Sequence, residues 1–84
     1  MMADLDRAEE LYREALDAQR ETLGNRHADT LTSINNLAIF EYQRGNIEHA
    51  KTLCREAVDG ARATLGDAHP NTQVFMRNLA QWSR

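Results

Sequence analysis

Cysteine, proline and tryptophan each occur once in the 84 residues, and aromatics make up only 6% of them. A lone thiol, Cys54, excludes an internal disulfide and points to a reducing compartment, so a cytoplasmic location is expected. Few prolines, glycines and aromatics beside 27% charged residues suit an all-α chain. Excess charge of one sign is missing too: ten basic residues interleave with thirteen acidic ones, for a net charge of −3. That leaves no electrostatic footprint for nucleic acid and no attraction to an acidic membrane surface. No apolar run approaches the ~20 residues of a membrane span, and no basic-then-apolar leader follows Met1-Met2. Glycine-rich phosphate loops, nucleophile elbows and HExxH patterns do not occur. The acidic pairs Glu9-Glu10 and Asp4, Asp6 sit at helix starts, where they complement the helix dipole. The expectation is therefore a protein without enzymatic activity, cofactor or metal.

What the chain does have is a repeat of 42 residues, half its own length. Leu23-Gly24-Asn25-Arg26-His27-Ala28-Asp29-Thr30 returns as Leu65-Gly66-Asp67-Ala68-His69-Pro70-Asn71-Thr72, and Asn36-Leu37-Ala38 returns as Asn78-Leu79-Ala80. About fifteen of the 42 aligned pairs are identical, which means stacked supersecondary units. Such units more often present binding surfaces than reaction sites. At this size the chain is one domain at most and buries only about 60% of its unfolded surface.

Apolar residues at three- and four-residue steps predict four helices. The first carries Leu5, Ala8, Leu11, Tyr12, Ala15, Leu16 and Leu23 on one stripe, with Asp4 as its N-cap and Gly24 at its end. The second runs from about Asp29 to Arg44, with Leu31, Ile34, Leu37, Ala38 and Phe40 or Tyr42 inside. Gly45-Asn46 stops it and caps the third, so these two helices must be antiparallel neighbours. The third repeats the first through Ile47, Ala50, Leu53, Cys54, Ala57, Val58, Ala61 and Leu65, and Gly66 closes it. The fourth begins at His69-Pro70 and carries Val74, Phe75, Met76, Leu79 and Trp82. Helices one and three should each be about 28 Å long at 1.5 Å per residue. Alanines recurring at one place in each unit, such as Ala8, Ala50, Ala38 and Ala80, let helix axes come close.

Three residue types invite a chemical reading. His27 and His69 stand one repeat apart with no cysteine or second histidine at ligand spacing, so turn bonding is expected rather than metal binding. His49 is placed on the outward, solvated part of the third helix. Cys54 takes the stripe position that Tyr12 holds in the first unit, where a buried small hydrophobe is expected.

Together His27-Ala28-Asp29-Thr30, Ile34-Asn35-Asn36-Leu37-Ala38, Gly45-Asn46-Ile47, Leu53-Cys54-Arg55-Glu56-Ala57-Val58 and Leu65-Gly66 resemble the tetratricopeptide repeat, in the 42-residue variety found in kinesin light chains. His69-Pro70-Asn71-Thr72 and Asn78-Leu79-Ala80 match the same pattern again. Glu41 stands where the family has a tyrosine, with Tyr42 one place later, and Ala28 replaces a proline that Pro70 keeps. The resemblance implies an all-α, antiparallel helix-turn-helix array with helices in the order B-A-B-A. It divides the chain into a half repeat over 1–24, a complete repeat over 25–66 and a half repeat over 67–84. It also implies a scaffold segment that binds a protein or peptide, an acidic one included, in a concave groove of the A helices. Carried over by position, the groove residues are Asn35, Asn36, Ile39, Tyr42, Gln43, Arg77, Asn78 and Gln81. Side-chain amides there can clamp a peptide backbone, and Arg77 can meet a carboxylate. Asn36 and Asn78 have a second reading, in which they bond a neighbouring helix and hold the spacing between A helices. The frame further implies terminal helices that expose Leu5, Leu11, Leu16, Phe75, Leu79 and Trp82, and hence a homo-oligomer formed by pairing of half repeats between chains.

Overall fold

The computed structural model describes residues 2–83. Among these residues there are four helices and no strand: α1 Met2–Thr22, α2 Ala28–Gln43, α3 Ile47–Thr64 and α4 Pro70–Trp82. They pack in chain order, α1 on α2, α2 on α3 and α3 on α4. At 18 residues α3 is about 27 Å long.

The helix ends follow the repeat. Nδ1 of His27 accepts a hydrogen bond from the Asp29 N–H at 3.1 Å, and Nδ1 of His69 accepts one from the Asn71 N–H at 3.1 Å. Each ring thus serves an N–H that the first turn of its helix leaves open, and both residues hold the extended backbone of an N-cap. Gly24, Gly45 and Gly66 all have φ near +90°, where a side chain would be strained. At Gly45 this conformation turns the chain within three residues, between Gln43 and Ile47.

Two expected caps are not formed. Asp4 lies inside α1, because the helix already begins at Met2. Asn46 occupies the N-cap position of α3 but makes no side-chain cap; its Nδ2 donates instead to Oε2 of Glu41 at 2.9 Å.

The core runs through Leu31, Ile34, Leu37, Ala38, Leu53 and Ala57, with Leu16 entering from α1 and Phe75 from α4. Leu31 fills a notch at Gly60: a Cβ there would come within 2.6 Å of Leu31 Cδ2. Cys54 is fully buried, its Sγ donating to the Phe75 carbonyl at 3.3 Å. α1 and α3, not adjacent in sequence, are tied by the two-pronged pair of Arg20 and Glu56, one arm of which measures 3.0 Å.

Leu16 and Phe75 are 4% exposed, so neither belongs to an open surface as expected of the terminal helices. The reason is local: each half repeat still has one neighbour, and these two residues face it. Leu79 and Trp82 are half-buried against the same core, while Leu5 and Leu11 remain exposed.

Candidate functional site

α2 and α4 lie side by side and present an open face. Two contacts join them. Asn78 Nδ2 donates to Asn35 Oδ1 at 3.3 Å, and the rings of Tyr42 and Trp82 stack with centroids 4.8 Å apart and planes 15° from parallel. Tyr42 stays 37% exposed, so one side of this aromatic pair is a surface. Of the other expected groove residues, Asn36, Gln43, Arg77 and Gln81 are exposed and Ile39 is half-buried. Their spacing on α2, at 36, 39 and 43, is that of one helix stripe. Val74 and Gln81 flank Asn78 on α4 at the same kind of step, and Val74 is 41% exposed. Arg77 makes no ion pair among the described residues.

Seven of the eight expected groove residues keep some solvent access. Asn35 does not: it is buried at 6% exposure, with its carbonyl oxygen already accepting from Asn78. The Asn78 amide thus holds the two A helices together, as its second reading had it. Asn36, at the same repeat position as Asn78, is exposed. Trp82 takes part in the face through Tyr42, a role that periodicity alone did not assign.

A polar cluster at the opposite edge of α2 went unread in the sequence. Glu41 is 1% exposed. Its Oε2 receives Asn46 Nδ2 at 2.9 Å and lies 3.1 Å from Nδ1 of His49. His49 is thus engaged with a carboxylate and not merely solvated. Oε1 of Glu41 is buried without a fixed donor, and the Glu9 carboxyl of α1 shares a proton with this carboxylate in a side-chain hydrogen bond. Sharing the proton raises Glu9 above the ordinary carboxylate range, with burial adding to the effect. Burial by itself would raise Glu41 as well. The hydrogen bonds from Glu9, Asn46 and His49 outweigh it and hold Glu41 below the ordinary range. Arg44 closes the cluster, donating to Asp6 at 2.9 Å and Glu9 at 3.4 Å and lying 5.8 Å over the Phe40 ring. The only sequence signal was Glu41 at a family tyrosine position.

Burial pushes the Cys54 thiol up to about 11, which suppresses the reactive thiolate. Among the described residues no three histidine, cysteine or carboxylate side chains gather as a metal site, and no helix is long and apolar enough to cross a membrane. Among the described residues, concavities also lie away from the α2/α4 face. One, of about 280 Å³, is lined by Asn25, Arg26, Glu56, Asp59 and Gly60. Another, of about 310 Å³, is apolar and lined by Ala8, Leu11, Tyr12 and Ala15 of α1.

Comparison with known families agrees with this architecture. Residues 1–29 and 30–71 match the family model described as Tetratricopeptide repeat. No curated protein matches the chain. Repeats of this family generally mediate protein–protein interaction. With paired helices recurring at 42 residues and the family match running from 1 to 71, the chain belongs to the tetratricopeptide-repeat family, in its kinesin-light-chain type.

Proposed function

We propose that the α2/α4 face is a docking groove for a short, extended, acidic peptide segment of a partner protein. The observation that carries this reading is the stack of Tyr42, 37% exposed, on the half-buried Trp82, together with an exposed Arg77 on α4 that has no ion pair of its own among the described residues. A flat aromatic pair takes up apolar or aromatic peptide side chains with little loss of conformational freedom. The amides of Asn36, Gln43 and Gln81 each offer two donors and an acceptor to a peptide backbone. Arg77 meets a carboxylate with a charge-assisted pair of hydrogen bonds. Asn35 has no part in this set, because Asn78 already engages it.

Two A helices make a short groove, so a dissociation constant of ~10–100 μM is expected, equivalent to about −5.5 to −7 kcal/mol. The test is titration with fluorescein-labelled acidic peptides containing one aromatic residue, against a control set in which lysine replaces each acidic residue. Preferential binding of the acidic set, weakened at least about tenfold by Arg77→Ala, supports the groove. Equal binding of both sets, or an affinity indifferent to Arg77→Ala and Asn36→Ala, refutes it.

A further inference from the structure

The internal repeat allows the molecule to serve as its own template. Within the chain, α2 lies on α3 along a defined seam. Leu31 fills the notch at Gly60, and Glu41 meets Asn46 and His49 at the other end. On α2 the seam is the stripe 31, 34, 38, 41. On α3 it is the stripe 46, 49–50, 53, 57, 60. Helical spacing of three and four residues requires both.

Moving 42 residues forward carries the α2 stripe onto α4 as Gln73, Met76, Ala80 and Ser83. All four are exposed, Met76 at 39%. Moving 42 residues back turns the polar end of the α3 stripe, Asn46 and His49, into Asp4 and Arg7, and carries the rest onto α1 as Ala8, Leu11, Ala15 and Ala18. Three of these last four are exposed, Leu11 at 56%, while their counterparts Leu53, Ala57 and Gly60 are buried. The apolar concavity of about 310 Å³ on α1 sits on this stripe, lined by Ala8, Leu11, Tyr12 and Ala15. Both halves of the α2/α3 seam are thus present a second time, uncovered, at opposite ends of one chain.

We infer that the Ala8–Leu11–Ala15 groove of one molecule receives the Gln73–Met76–Ala80 face of α4 from a second copy, head to tail, in the register of α2 on α3. The substitutions at two points of the seam are compensated. Leu31 needs a glycine opposite it, since a Cβ at residue 60 would meet Leu31 Cδ2 at 2.6 Å. Where α1 has Ala18 in place of Gly60, α4 has Gln73 in place of Leu31, and its unbranched Cγ leaves room for the added methyl. The buried Glu41 of the internal seam becomes Ser83, so the seam between copies buries no carboxylate at that point. A head-to-tail seam leaves a free groove and a free α4 at the ends of every assembly, so association continues until it closes or is stopped.

This asymmetry supplies the test, and the variants used leave the proposed peptide groove unchanged. Leu11→Glu spoils the groove of a chain but keeps its α4 face. Met76→Glu does the reverse. Mass is read by light scattering over a wide concentration range. The wild type should rise above 9.6 kDa with concentration, and each variant alone should stay at 9.6 kDa. An equimolar mixture of the two variants should reach twice that mass and stop there, because only one intact seam can form. Helicity and Trp82 emission confirm folding of each variant, and Ala15→Glu with Ala80→Glu repeats the design on the same two faces. A wild type that stays at 9.6 kDa throughout overturns the inference, leaving the faces to neighbouring repeats of a longer chain. So does a mixture that stays monomeric, or a single variant that still associates.

Discussion

Nδ1 of His49 on α3 lies 3.1 Å from Oε2 of Glu41 on α2, and the same carboxylate shares a hydrogen bond with Glu9 of α1. Three helices therefore meet at one carboxylate, with Arg13 and Arg44 lowering the proton affinity of Glu9 from either side. Glu9 is raised in the folded state, so its contribution is present at low pH and is lost as pH rises through its folded value. Glu41 is lowered, so its contribution is present at higher pH and is lost as pH falls through its folded value. The two directions bracket the ordinary carboxylate value of 4.5, so this cluster stabilises the fold most in a mildly acidic window around it. Glu9→Gln places a permanent donor beside the Glu41 carboxylate. Thermal melts should show Glu9→Gln more stable than wild type at neutral pH by about 1 kcal/mol, or roughly 4–8 °C, with the gap shrinking towards pH 4.5. A gap that does not change with pH would remove the shared proton from the account.

Gly60 sets two effects against each other. Alanine in a helix interior is favoured over glycine by about 1 kcal/mol. A Cβ at this place meets Leu31 Cδ2 at 2.6 Å, and Leu31 is fully buried, so any shift of its side chain disturbs the packing around it. Overpacking of this kind costs about 1–3 kcal/mol, so Gly60→Ala should be destabilising on balance by urea denaturation. In a Leu31→Ala background the clash is gone, and the same substitution should stabilise by about 1 kcal/mol. The change of sign is the result to look for.

Trp82 is the one tryptophan, and its ring is half-buried against Tyr42. Its fluorescence therefore reports on the docking of α4 beside α2. Tyr42→Ala should shift the emission to longer wavelength and lower stability by about 1 kcal/mol, the scale of an aromatic pair beyond simple burial. An unshifted spectrum would mean that the stack does not persist in solution.

Cys54 is fully buried between α3 and α4, with its thiol pushed up to about 11. A disulfide reagent at pH 8 should react with it only when α4 lifts away. The rate should therefore follow local opening and increase with low concentrations of urea. Tyr42→Ala should speed the reaction by loosening the same helix. Reaction at the rate of a free thiol would contradict the burial.

The repeat and the local punctuation of the chain were open to reading from the residues alone. The histidine caps, the left-handed glycines and Pro70 at the first turn of α4 depend on contacts a few residues apart, which sequence displays directly. The helix boundaries fell close to expectation for the same reason, apart from the start of α1. The burial of Asn35, the carboxylate partner of His49 and the polar cluster at Glu41 were not legible, because their surroundings come from other helices. Leu11 and Leu53 make the point most clearly. They are the same residue at the same repeat position, each with Ala three residues before and Arg-Glu-Ala following at the same distance. Leu53 is 9% exposed and Leu11 is 56% exposed. Sequence by itself determined that both lie on the apolar stripe of a helix, since a period of 3.6 residues is a property of the backbone. Only the tertiary structure decided which stripe has a neighbour: α2 covers one and leaves the other open, because burial is set by the helix that lies opposite.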